Sequence, residues 1–408
     1  MKCRHCRAEL TLPFIDLQTA PPSNSYLTTE QLQAPEKWYP LRVRTCTSCW
    51  LVQTEDYAHV EELFASDYAY FSSFSSSWLE HAEAYVGTMA KRFGLSGSSH
   101  VVEIASNDGY LLRYVKDRGI PCLGVEPTAS TAAAARARGI EVVEEFFGVA
   151  LADRLVAVGL AADLTAANNV LAHVPDINDF VAGFARLLKP SGVATFEFPH
   201  LMRLVADCQF DTIYHEHFSY LSLTAVHRIF ADNGLAVFDV EELATHGGSL
   251  RVFAQRQDLG KWPVTAAVDR LLATEDRAGV RSSEYYAGFQ DRAERIKDDL
   301  LGFLIGAKRE GKRVAGYGAA AKGNTLLNFA GIRPDLLPWV VDRNPAKRDK
   351  FLPGSRIPVV GEERLQADKP DYILVLPWNL RLEITQQLDY VRRWNGRLVT
   401  AVPHLEVS

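Results

Sequence analysis

The stretch "FDTIYHEHFSY" at residues 210–220 sets two histidines around a glutamate, with a tyrosine directly ahead of them. These residue types can ligate a metal, move protons, or fill a crowded polar loop. Neighbouring residues point in different directions in any regular element, so His215, Glu216 and His217 do not converge readily on one ion. The H-E-x-x-H spacing of helical zinc sites is absent. A neutral imidazole titrates near working pH, so proton transfer stays open beside a metal and a merely structural polar loop.

A second set of chemical residues lies at the N-terminus. "CRHC" at 3–6 and "CTSC" at 46–49 can close four thiolates, Cys3, Cys6, Cys46 and Cys49, around one tetrahedral Zn²⁺. Two disulfides or a redox C-x-x-C are the competing uses. His5 is a weak competing ligand, since four sulfurs already complete the shell. A closed site of this kind is structural. A zinc ribbon could also grip RNA, but residues 1–70 carry six Lys or Arg against nine Asp or Glu, a poor electrostatic footprint for nucleic acid.

A chain of 408 residues must spread over two or three cores. With 47% hydrophobic and 23% charged residues it has the composition of a soluble globular protein. A net charge of -6 argues against a nucleic-acid or anionic-membrane binder. No apolar run has the length of a membrane span, and "MKCRHCRAEL" lacks the apolar stretch of a signal peptide, so the expected location is the cytoplasm. The sequence is compatible with a monomer and does not fix the oligomeric state.

Elements able to position these groups begin near residue 75. "WLEHAEAYVGTMAKRFGL" is amphipathic and ends near Gly94. After it, short apolar runs alternate with helical patterns, from "HVVEIASNDGYLLRYVKDRG" to "GVATFEFPH". Alternation of this kind predicts a doubly wound parallel sheet, with its ligand at the carboxyl ends of the strands. Three features there fit S-adenosylmethionine (SAM). "EIASNDG" resembles the E-x-G-x-G-x-G loop of class I methyltransferases, with Ala105 and Asn107 replacing two glycines. Its Asn107 and Asp108 can offer polar contacts to the amino-acid end of SAM. Glu126 in "GVEP", 17 residues beyond Gly109, can accept both ribose hydroxyls. Phe146 and Phe147 in "EEFFG" could lie against adenine, or else belong to the core. An NAD enzyme would share the acid but would need G-x-G-x-x-G. The candidate cofactor contacts are therefore Glu103, Ala105, Asn107, Asp108, Gly109, Glu126, Phe146, Phe147 and Asn168, which opens "NNVLAHV" after the fourth strand. Asn/Asp-Pro-Pro-Tyr, used there by amino-methylating nucleic-acid enzymes, is absent. Cys122, in "PC", opens a strand and is expected to be a buried thiol.

Taken in order, the four-cysteine module, "YAYFSS", "EIASNDGYLL", "NNVLAHVPD", "YHEHFSYLS", "HGGSLR" and "GYGAAAKGNTLLN" resemble the SAM-dependent sugar C-methyltransferases that act on dTDP-linked 4-keto deoxysugars in antibiotic biosynthesis. The resemblance spans nearly the whole chain. It implies an α/β protein of three parts: a zinc-binding module (1–72), a class I methyltransferase domain (73–258), and a C-terminal Rossmann-like domain with a helical connector (259–408). It implies SAM as cosubstrate, structural Zn²⁺, and methylation of a carbon beside the 4-keto group, with C3 favoured over C5.

Carbon methylation needs a carbon nucleophile. A base can remove a proton beside a ketone, and another group must steady the enolate oxygen. Carried over motif by motif, the family implies His217 as base, Tyr214 as a hydrogen-bonding partner near the keto group, and Glu216 as an orienting group or a contact for a sugar amine. It gives His173 as a secondary candidate and Tyr68 as a residue reaching in from the end of the zinc module. In "HGGSLR" two glycines permit close approach to a ligand, or make a simple turn. The loop "GYGAAAKGN" at 316–324 could contact the diphosphate of the sugar nucleotide through Lys322, or be a relic, with Asp342 only loosely placed as an acidic partner. Two other readings stay open: a zinc-ribbon RNA methyltransferase, which would need a basic groove, and a SAM-fold scaffold that has lost catalysis, to which the altered glycine loop would point.

Overall fold

The computed structural model describes residues 1–57 and 71–408, so Tyr68 lies outside the described residues. The chain forms three sheets. Near the N-terminus, β1 (Leu12–Ala20), β2 (Tyr39–Thr45) and β3 (Val52–Thr54) form an antiparallel meander. Its fourth strand comes from far along the chain: Ser219–Tyr220, just after the H-E-H stretch, pairs with β3.

The central sheet contains β4 (Val101–Ile104), β5 (Cys122–Val125), β6 (Val142–Val143), β7 (Ala162–Asn168) and β8 (Leu188–Pro199). Numbering the Ser219–Tyr220 strand β9, it is completed by β10 (Leu235–Leu243) and β11 (Ser249–Arg256), in the order β10-β11-β8-β7-β4-β5-β6. The sheet is mixed, not purely parallel as the alternation predicts. β11 runs antiparallel to β8 and to β10, because β10 and β11 are joined by the tight "THGG" turn and not by a crossover helix. Strand order reverses between β4 and β7, which opens a crevice at their carboxyl ends. The amphipathic helix Ser76–Phe93 starts where the Ser75 side chain accepts from Trp78 N–H, and stops at Gly94 with φ of 63°.

The C-terminal sheet has the order β14-β13-β12-β15-β16-β17, from β12 (Val314–Tyr317), β13 (Val340–Val341), β14 (Val359–Val360), β15 (Tyr372–Val375), β16 (Arg397–Thr400) and β17 (Glu406–Val407). All neighbours are parallel except β16 and β17. Its order reverses between β12 and β15, whose following loops are "GAAAKGN" and "PWN". The two α/β units turn their switch points toward one space, as the lining of the cavity below demonstrates. No helix among the described residues is long and apolar enough to cross a membrane.

Candidate active site

The cofactor loop holds left-handed backbone even where two of its glycines are replaced. Ala105, Asn107 and Gly109 all take positive φ, 58°, 49° and 77°. Gly109 is favoured by its φ, and a Cβ there would meet Ile140 Cδ1 at 2.4 Å and Ala135 Cβ at 3.3 Å. Asn visits the left-handed region at low cost and alanine does not. Ala105→Gly should therefore raise stability by about 1 kcal/mol, read as a higher denaturation midpoint with SAM affinity retained.

Glu126, at the end of β5, is buried, and each carboxylate oxygen accepts one backbone N–H: Oε2 from Asn107 at 2.9 Å, Oε1 from Thr128 at 3.0 Å. Ionised, it retains lone pairs for two more donors. Charged hydrogen bonds to two hydroxyls are worth roughly 1.5–3 kcal/mol, so Glu126→Ala should weaken SAM by roughly 10- to 150-fold in a calorimetric titration while metal content stays unchanged. Unaltered binding would exclude this carboxylate from the cofactor site.

Glu126, Asn107, Ala105, Asn168, Phe146 and Phe147 line one cavity of about 540 Å³. Phe146 is 60% exposed, while Phe147 is 9% exposed and packs its ring against Phe180 and Phe184. Of the pair, only Phe146 is free to lie along a flat ring. Among the described residues, neither polar atom of the buried Asn168 amide has a partner. Glu103, Asp108 and Gly109 shape the loop without lining the cavity. Glu103 is buried, and that burial lifts its carboxyl well above the ordinary range. Asp108, expected to touch the amino-acid end of SAM, is turned away: it pairs with Arg138 at 3.0 Å and accepts from Ser73. Alternate side chains of this winding loop face opposite sides, and the guanidinium claims that side's carboxylate.

His217, Tyr214 and His173 line the same cavity. The His217 ring lies 3.9 Å from Tyr214 and 4.5 Å from His173, centroid to centroid. His217 Nδ1 donates to Thr212 O at 2.7 Å, which leaves Nε2 as the lone-pair nitrogen. Burial, then the neighbouring His173, holds the imidazole pKa well below 6.5. His173 is hydrogen-bonded to the Glu216 backbone, and burial takes its pKa down to about 4. Both rings are neutral at pH 7. His215 turns away, its Nε2 3.3 Å from Pro40 O.

Glu216 does not line the cavity, contrary to the expected contact with a sugar amine. It is wholly buried behind the wall, Oε1 accepts from Asn24 Nδ2 at 3.0 Å, and burial lifts its pKa to about 7. The tight turn that aims His217 inward sends its predecessor the other way. Asn24 does reach the cavity, a role that one asparagine in a Pro/Ser-rich loop could not advertise.

The loop after β12 adds Ala320, Ala321 and Lys322 to the lining. Lys322 Nζ donates to Asn379 Oδ1 at 2.7 Å and lies 4.9 Å from the Trp378 ring centroid, while Trp378 Nε1 donates to Asp211 Oδ2 at 2.7 Å. Asp211 lies in the 210–220 stretch, so the C-terminal unit is bonded directly to it. Asp342 ties the loop down by accepting from Ala319 N at 2.8 Å. Cys122 lies outside the cavity, and burial raises its thiol pKa to about 11, which leaves no nucleophilic cysteine there.

The four sulfurs of Cys3, Cys6, Cys46 and Cys49 lie within 4.8 Å of one another, and none is in a disulfide. Contacts of 3.6 Å (Cys3–Cys49) and 3.5 Å (Cys6–Cys46) approach the roughly 3.8 Å edge of a tetrahedron with 2.3 Å zinc–sulfur bonds. The two knuckles repeat one backbone pattern. Cys3 N and Cys46 N donate five residues ahead, to Ala8 O and Leu51 O, and Arg7 and Trp50 take φ of 63° and 61°. His5 is no ligand, since its Nδ1 is 2.7 Å from Asn178 Oδ1 of the central domain.

The chain matches three domain families: a zinc binding domain over residues 3–64, a methyltransferase domain over 78–240 and the C-methyltransferase C-terminal domain over 244–403. It is 34% identical over 406 residues to C-methyltransferase NovU of Streptomyces niveus, a similarity that covers 100% of this chain and 96% of that protein. The chain belongs to the C-methyltransferase family. It is a SAM-dependent methyltransferase with a structural zinc site. Among solved structures it is similar to magnesium protoporphyrin IX methyltransferase from Synechocystis PCC 6803 with bound SAM (14% identity, TM-score 0.34, 44% of this chain and 79% of that one). It is also similar to a SAM-dependent methyltransferase from Mesorhizobium loti (16%, TM-score 0.35, 44% and 100%).

Proposed function

We propose that this C-methyltransferase moves the methyl group of SAM to the carbon beside the 4-keto group, C3 favoured, of a dTDP-linked deoxysugar destined for an antibiotic. The observation that carries the reading is His217: its Nδ1 is committed to Thr212 O, so Nε2 is the base, in the same cavity as Glu126. His217 takes the proton, Tyr214 hydrogen-bonds near the keto group, and the enolate carbon attacks the methyl in line. The Lys322 loop, which lines the same cavity, offers a cation to the diphosphate. In this reading the work is divided near residues 72 and 258 among zinc module, SAM domain and nucleotide-side domain. Mass spectrometry of a panel of dTDP-4-keto sugars incubated with SAM, with deuterium wash-in followed at C3 and C5, tests it. A panel on which neither methylation nor exchange occurs would remove the keto-sugar reading.

A further inference from the structure

The turn between β10 and β11 places a third histidine on the cavity, one the base chemistry above does not use. His246 sits in "HGGSLR" with φ of 55°, its ring 5.1 Å from that of Trp78, and it lines the cavity. The turn is held on both sides. A Cβ on Gly247 would meet Trp378 Cη2 at 2.7 Å and Gln209 Nε2 at 2.9 Å, and one on Gly248 would meet Arg203 Cγ at 2.5 Å. Only glycines allow this approach, so the position of His246 is fixed by packing and not by chance of loop conformation.

The hydrogen bonds of His217 and His246 are opposite in sense. His217 gives its Nδ1 proton to Thr212 O and keeps the lone pair on Nε2. His246 receives the Asn169 Nδ2–H on Nε2, at 3.1 Å, so its lone pair is spent and its proton rides on Nδ1. Nothing among the described residues bonds that Nδ1. Burial first, and then the charge of Lys322, takes the His246 pKa down to about 4, so the ring stays neutral. One imidazole is thus an acceptor and the other a donor. They are joined by a short chain of bonds: Gln209 Nε2 donates to Gly247 O at 2.8 Å, Thr212 Oγ1 donates to Gln209 O at 2.7 Å, and Thr212 O accepts from His217.

We propose that His246 is a second catalytic residue, whose Nδ1–H donates a hydrogen bond to the carbonyl oxygen of the substrate as His217 removes the neighbouring proton. The inference rests on the keto-sugar reading above. In the step, the carbon–hydrogen bond breaks, its proton goes to His217 Nε2, and its electron pair forms the carbon–carbon double bond. The carbonyl π pair moves to the oxygen, where the His246 N–H bond meets the growing negative charge. A neutral donor suits this use, because it strengthens its bond as charge develops without giving up its proton to the ketone beforehand.

His246→Phe keeps a ring against Trp78 and removes the donor, while His246→Asn tolerates the left-handed backbone and withdraws the ring. Both variants should bind SAM within about two-fold of wild type and retain their zinc. Both should lose about 10²- to 10³-fold in kcat, with substrate-proton exchange into deuterium oxide falling by the same factor. Near wild-type exchange and turnover in both variants would overturn the assignment, as would a loss confined to SAM affinity, which would put His246 on the cofactor side. These outcomes leave the keto-sugar reading standing. Absence of exchange and methylation by the wild-type protein itself, on every keto sugar of the panel, overturns that reading and this assignment together.

Discussion

His217→Asn should slow methyl transfer by about 10²- to 10⁴-fold, the usual worth of a positioned general base, with SAM affinity nearly unchanged. Asparagine keeps an N–H that can still reach Thr212 O, so the loop retains its anchor while the Nε2 lone pair is lost. Exchange of the substrate proton with solvent deuterium should fall in parallel, since it reports enolate formation without methyl transfer. Added zinc should not restore the rate, because no metal ligand has been removed. Burial holds the imidazole below its ordinary 6.5, so the wild-type base is already unprotonated at that pH and the acid limb of kcat/KM should lie lower still. Tyr214→Phe should give a smaller loss, as it removes one hydrogen bond and leaves the base. Wild-type exchange by His217→Asn together with silence of His173→Asn would transfer the role to His173, whose ring lies 4.5 Å from that of His217.

Much of this site is legible in the sequence because chemistry is written there as spacing. The two C-x-x-C pairs define the sulfur cluster, and the acid at 126 falls at the end of β5 because a strand–loop–helix–strand unit has a nearly fixed length. The loop "ASNDG" is harder. Its residues contradict the glycine pattern, yet the backbone holds positive φ at 105, 107 and 109, since Asn bears that conformation cheaply and a single alanine costs little against a whole fold. What the sequence hides is direction. Glu216 and His217 are neighbours, and only the turn decides that one faces the cavity while the other is sealed behind Asn24. Asp108 fails for a similar reason, because Arg138, 30 residues on, cannot be anticipated as its partner. Pairing between distant strands is equally unreadable: nothing in "VQT" or "SY" announces that β3 and β9 will meet.

That last pairing makes the zinc site matter to the chemistry. The second knuckle, Cys46 to Cys49, is the turn between β2 and β3, and Gln53 on β3 donates to Cys3 Sγ at 3.2 Å while its Oε1 accepts Arg4 N at 2.9 Å. β3 then pairs with β9, Val52 opposite Tyr220 and Gln53 opposite Ser219. At the end of β3, Thr54 N donates to Phe218 O at 3.2 Å and Thr54 Oγ1 to His217 O at 3.3 Å. One hairpin therefore runs from the sulfurs to the backbone of His217. The apparent binding energy of a structural zinc, about 10–16 kcal/mol, is largely folding energy of the segment that holds it. Chelation under reducing conditions should release about one zinc per chain, and should abolish turnover. Hydrogen exchange at residues 212–220 should rise well before the β4, β5 and β7 strands lose protection, since those strands are held by their own sheet. Cys46→Ser, which removes one ligand without any chelator, should give the same pattern. SAM binding should outlast methyl transfer in both cases, because Glu126 and Asn168 hang from strands bonded within the central sheet. A zinc-free protein that methylates at full rate with unchanged protection at 212–220 would show the hairpin to be a passive neighbour of the active site.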